Sequence, residues 1–197
     1  MNRTVRLSLI GVFAALAIAL NVAGPKIPAP YAPFLYYQIW EIPIVFAFLA
    51  IGPLEGVAVS VINTIVLFAY FQGSLPSGPF YNLIAVLSMF IGIYVPYKLA
   101  TRNLPAENLS SYLKNHLKAI TILATATGIF TRILITTVVN YFALQQPFPV
   151  GFSYTQPAAL AFLPLSILFN GTVAVYTIPI AVGITAVTTK ALANIKR

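Results

Sequence analysis

Long apolar runs, broken by short polar, Gly-rich or Pro-rich segments, organise the whole chain. A helix needs about 20 mostly apolar residues to cross the hydrocarbon of a bilayer. The first run covers residues 5–23. A loop over 24–34 follows, with Pro25, Pro28, Pro30 and Pro33. The second run, 38–51, ends at Gly52-Pro53, and the third covers 55–71. A Gly/Ser/Pro turn over 72–78 leads to the fourth run, 79–99. A polar segment, 100–117, reads as a short interfacial piece between the fourth and fifth runs, the fifth being 118–142. After a polar loop, 145–156, the sixth covers 157–190. That run is too long for the hydrocarbon core, so a bend at Pro164 or Pro179 is predicted. The pattern predicts an all-α membrane protein: six transmembrane helices in one integral domain, 1–197, with no internal repeat.

Composition excludes the alternative of a soluble domain. Of 197 residues, 59% are hydrophobic and only 7% charged, against about 25% charged in ordinary soluble domains. A chain this small cannot hide that much apolar surface from water. The charges also carry topology. With the N-terminus in the cytoplasm, Arg3, Arg6, Lys98, Arg102, Lys114, Lys118, Lys190, Lys196 and Arg197 lie inside and Lys26 outside, with Arg132 within a span. That bias follows the positive-inside rule and places both termini in the cytoplasm of a multi-pass cell-membrane protein. It also favours a retained first span over a cleaved leader, since removing residues 1–23 leaves five spans and separates the charged ends. The net charge of +8 is accounted for by helix ends facing the inner membrane surface, so no basic stripe is left for nucleic acid.

The chemical inventory is sparse. The chain has no Cys and no Asp, three Glu (Glu41, Glu55, Glu107) and one His, His116. No catalytic residues, metal site or cofactor are expected from that set. No phosphate-cradling Gly-rich loop is present, so energy for uphill movement would come from a partner or an ion gradient. Polar side chains inside spans are the functional pointers, because lipid makes them costly. Arg132, Thr136 and Asn140 follow one another at four-residue spacing on one face of the fifth span. Arg132 lies about 21 Å from the inner end by helix rise. With Asn170 in the sixth span, Arg132 and Asn140 lie in the outer half of the membrane, facing one cavity if these helices are neighbours, and the fourth span has Asn82 near its outer end. Arg132 has two readings, a ligand contact or a structural cation bonded to backbone carbonyls or Glu41. Glu41 pairs with either Lys26 or Arg132, and Glu55 caps the third helix.

Two further features have double readings. The segment 24–40 carries Tyr31, Phe34, Tyr36, Tyr37 and Trp40, which form either an interfacial aromatic belt or a lid over a small ligand. Gly11, Ala15 and Ala19 make a small-residue face on the first helix, which serves either as an internal seam or as a docking surface for a separate membrane subunit.

Five stretches carry a family resemblance: E-I-P-I-V-F-A-F-L-A-I-G-P-L-E-G-V at 41–57, S-G-P-F-Y-N-L-I-A at 77–85, V-V-N-Y-F at 138–142, L-F-N-G at 168–171, and the Gly11/Ala15/Ala19 face. Together they resemble the substrate-binding S components of energy-coupling-factor vitamin transporters, especially the riboflavin-specific branch. That resemblance implies six helices and a vitamin held in the outer half under the first loop. It also implies a transmembrane coupling subunit meeting the Gly11/Ala15/Ala19 face and two cytoplasmic ATPases. Asn140 and Asn170 match ligand-contacting positions of the branch. The chain departs from it at Val173, where the branch carries Lys, and at Glu41, where it carries Asp. Arg132 would suit a carboxylate-bearing vitamin as well. The expected function is capture of a vitamin, riboflavin first. Substrate contacts are expected from Asn140, Asn170, Arg132, Asn82, Thr136, Tyr36, Tyr37, Trp40 and Glu41. Two other classes stand beside it, an autonomous secondary transporter and an intramembrane enzyme.

Overall fold

The structure is a computed structural model that describes residues 2–70, 73–102, 111 and 115–196. Its helices are α1 (Arg3–Val22), α2 (Glu41–Ala50), α3 (Pro53–Tyr70), α4 (Gly78–Thr101), α5 (Leu117–Gln145) and α6 (Gln156–Lys196). Most of the polar segment expected over 100–117 lies outside the described residues. Among the described residues, five helices are long and apolar enough to cross a membrane: α1, α3, α4, α5 and α6. Their outer faces are coated with large apolar side chains. Leu54, Ile122, Phe130 and Val187 are 66–75% exposed, an arrangement that lipid accommodates and water does not. The protein is an all-α membrane protein apart from one small hairpin.

The second expected span is α2, and it is short. Its ten residues rise about 15 Å, half of a hydrocarbon core of about 30 Å. All of them except Ile42 are buried, so α2 never meets lipid and forms the centre of the bundle. Ile44, Val45 and Phe48 pack there with Val86, Met89, Phe90 and Ile93 of α4 and Ile178 of α6. Phe48 and Phe90 stack with centroids 4.1 Å apart. Gly52-Pro53 ends α2 and starts α3, because Pro53 at the first helical position lacks the N–H a continuing helix would use. Gly56 then lies against Phe48, where any Cβ would collide with the backbone and Cβ of Phe48. Glu55, in the first turn of α3, is buried and forms an ion pair with Arg6 of α1. It therefore ties two helices together as well as suiting the dipole.

The segment expected as a Pro-rich loop contains a β-hairpin, β1 (Ile27–Ala29) and β2 (Ala32–Tyr37), paired antiparallel with Ile27 opposite Tyr37 and Pro28 opposite Tyr36. Proline is tolerated because a two-stranded ribbon has only edge strands. The prolines hid the strand pattern of the aromatic run. Helix α6 runs through both Pro164 and Pro179.

Candidate functional site

Because α2 is short, the space beyond its N-terminus is open to side chains. A cavity of about 230 Å³ lies there, roofed by the hairpin and walled by α4, α5, α6 and the 146–155 loop. Helix α5 supplies Arg132, Thr136 and Asn140, whose four-residue spacing keeps all three on the cavity face. Helix α6 supplies Ser166 and Asn170, again four apart, and α4 supplies Asn82. Trp40 and Glu41 come from the start of α2, and Tyr36 from β2.

The floor of the cavity is one bonded polar network. Arg132, 2% exposed, grips Glu41, 4% exposed, in a bidentate pair: Nη1 donates to Oε2 at 2.5 Å and Nη2 to Oε1 at 2.9 Å. Arg132 Nε donates to Asn170 Oδ1 at 3.0 Å. Asn170 Nδ2 donates to the Ser166 carbonyl at 3.0 Å, and Asn140 Nδ2 to Ser166 Oγ at 2.5 Å. A planar guanidinium fork matches a carboxylate in this way, and burial requires the match, since an unpaired ion in lipid is heavily penalised. The consequence is a floor that is polar but carries no net charge.

This geometry bears on several of the double readings. Glu41 pairs with Arg132. The Arg132 Nε, Nη1 and Nη2 are all engaged within the protein, so in this arrangement they offer no vacant fork for a carboxylate. Both ends of the Asn170 amide are likewise committed, one to Arg132 and one to Ser166. It lines the cavity while orienting the guanidinium. The Thr136 hydroxyl donates back to the Arg132 carbonyl at 2.7 Å, which leaves only its lone pairs toward the cavity. Asn140 keeps its carbonyl oxygen without a bond to any described residue. Tyr37 departs from expectation. Tyr36 lines the cavity and Tyr37 does not. The Tyr37 ring stacks on Phe169 at 5.2 Å, and its hydroxyl meets that of Tyr31 at 2.6 Å. The Tyr31 hydroxyl is pushed up to about 12, first by lost hydration and then by that bond.

Gly11 lies on an exposed face of α1, and a Cβ there would meet nothing within 4 Å. Ala15 and Ala19 are exposed too, while Ala14 and Ala17 make the internal seam. Gly11, Ala15 and Ala19 therefore lie outside the seam that Ala14 and Ala17 make.

Among solved structures, one described as the S component of a bacterial ECF transporter matches 100% of this chain and 99% of its own, with a TM-score of 0.59 and 21% identity. This chain has the S-component fold. In sequence, 99 residues are 29% identical to the riboflavin transporter RibU of Staphylococcus aureus (strain TCH60). That stretch is 50% of this chain and 51% of the relative, so the match spans about half the length of each. No family model matches the chain. Fold and sequence stretch both agree with the S-component resemblance, riboflavin-type, read from the motifs. Within this S-component fold, sequence reasoning missed Ser166, Gln38, Tyr176 and the loop residues Gly151 and Phe152. Ser166 was findable, as a polar residue one helical turn before Asn170. The loop residues were not, since only the tertiary fold brings 146–155 over the cavity.

Proposed function

We propose that the protein captures riboflavin, or a vitamin of the same neutral, flat kind, from outside the cell and presents it for ATP-driven uptake. The observation that carries this reading is the hairpin-roofed cavity over an electrically neutral polar floor. Aromatic walls, Tyr36, Trp40, Phe162 and Phe169 among them, suit a flat ring. The Asn140 oxygen and the remaining hydrogen-bonding capacity of the floor suit its polar edge. Since Glu41 already neutralises Arg132, an anionic vitamin would have to displace a buried carboxylate, so neutral solutes are favoured over the carboxylate-bearing alternative. Such a polar site also rejects analogues that leave its groups unpaired. The partner reading rests on the open Gly11/Ala15/Ala19 face, which suits close approach of a transmembrane coupling subunit, with two cytoplasmic ATPases supplying energy. In this reading the chain is one cell-membrane domain with six crossings, α2 completing the sixth together with the hairpin, and both termini are cytoplasmic. It binds and releases without catalysis or a resident cofactor.

The test is purification in detergent, with visible flavin absorbance and a riboflavin titration followed by quenching of flavin fluorescence. Co-purifying yellow colour or saturable quenching supports the reading. A colourless protein whose melting temperature ignores riboflavin removes that substrate. Flat melting curves across a panel of water-soluble vitamins would remove the class. Uptake into liposomes by the chain alone would favour an autonomous transporter.

A further inference from the structure

A second cavity, of about 400 Å³, lies beside the first, bounded by α1, α3 and the hairpin. Leu35, Tyr36, Gln38, Asn82 and Phe169 wall both cavities, so the two adjoin along one shared partition. The first cavity alone, at about 230 Å³, falls short of the roughly 300–1,000 Å³ typical of small-molecule sites. A vitamin-sized solute therefore needs more room than the Arg132 floor provides.

The second cavity also has an unmet polar demand. Asn21, on the otherwise apolar last turns of α1, lines it and is only 7% exposed. Its Nδ2 has no hydrogen-bond partner among the described residues. A buried donor left unpaired is destabilising, and an apolar residue there would avoid that cost. The Asn21 carbonyl is held at 3.2 Å by Gln38 Nε2, which fixes this end of α1 against the partition. Asn82, at the junction, makes no hydrogen bond to another described residue. The Tyr70 and Tyr36 side chains add polar tips to the same lining.

We infer that the binding site is bipartite. The flat ring of the solute occupies the first cavity, and a hydroxylated chain attached to that ring crosses the partition into the second, where a hydroxyl oxygen accepts from Asn21 Nδ2. This assignment rests on the capture reading above and adds to it the α1–α3 chamber and the class of substituent it takes.

The experiment compares riboflavin with lumiflavin, the same ring carrying a methyl group in place of the hydroxylated chain. Both are titrated by fluorescence quenching against the wild type, Asn21→Leu and Val22→Trp. Val22 lines only the second cavity, so the tryptophan fills that chamber without touching the first. The expected result for Asn21→Leu is a riboflavin affinity lower by about 3- to 10-fold, one hydrogen bond's worth, with lumiflavin changed less than twofold. Val22→Trp weakens riboflavin at least as much and again spares lumiflavin. The unliganded melting temperature of Asn21→Leu stays at or above wild type, because an unpaired buried donor has been removed. Equal losses for both flavins, or no loss for either, overturn the bipartite site while leaving capture standing. A wild type that binds neither flavin overturns both.

Discussion

Breaking the Arg132–Glu41 pair from one side is the most severe perturbation the structure offers. Arg132→Met leaves a carboxylate 4% exposed with no cation, and it strips Asn170 Oδ1 of its donor. Glu41→Leu leaves the guanidinium, 2% exposed, without its counter-ion. Removing one partner of a buried pair costs about 3–5 kcal/mol, whereas replacing both by apolar residues is often near neutral. For a chain of this size about 1 kcal/mol moves the melting temperature by roughly 2–4 °C. Each single variant should therefore melt about 6–20 °C below wild type, followed by far-UV circular dichroism in detergent. The double variant, Glu41→Leu with Arg132→Met, should melt above the lower of the two singles. The two residues touch, so strong coupling is required. A double variant whose loss equals the sum of the singles, within about 0.5 kcal/mol, would refute the claim that the floor is a closed, charge-compensated unit.

Other substitutions probe other parts of the structure. Asn140→Ala removes the side chain bonded to Ser166 Oγ and should weaken riboflavin about 3- to 10-fold by titration, with the melting temperature little changed. Gly56→Ala forces a Cβ into Phe48 and should cost about 1–3 kcal/mol, seen as a lower melting temperature whether or not ligand is present. Gly11→Leu points into open space, so it should leave folding within about 0.5 kcal/mol and riboflavin affinity unaltered. Co-purification with a transmembrane coupling subunit should nonetheless be lost.

The long helices were legible because period and length leave little choice in lipid: α3, α4, α5 and α6 start within a few residues of where the apolar runs begin. The Arg132/Thr136/Asn140 face followed from helical spacing alone, and so did its meeting with Asn170 once α5 and α6 lie side by side. What stayed hidden depends on contacts distant in sequence. The shortness of the second run, 38–51, was a local sign that α2 is not a full crossing, but its burial on nearly every side is set by α4 and α6. The committed hydrogen bonds of Asn170 and the choice of Glu41 over other uses of Arg132 are likewise set by partners 38 and 91 residues away. The hairpin was masked by its prolines, and with it the placement that separates Tyr36 from Tyr37.

The roof of the cavity is a ribbon whose strands bond to each other, Ile27 with Tyr37 and Pro28 with Tyr36. Those cross-strand bonds stiffen the ribbon, so it can tilt as one flap without breaking them. What resists the tilt is a handful of ring contacts, Tyr37 on Phe169 and Phe34 on Phe162, and the Tyr176 hydroxyl on the Gln38 carbonyl at its root. Admission and escape of a solute would then be timed by the peeling of aromatic surfaces rather than by unzipping of a sheet.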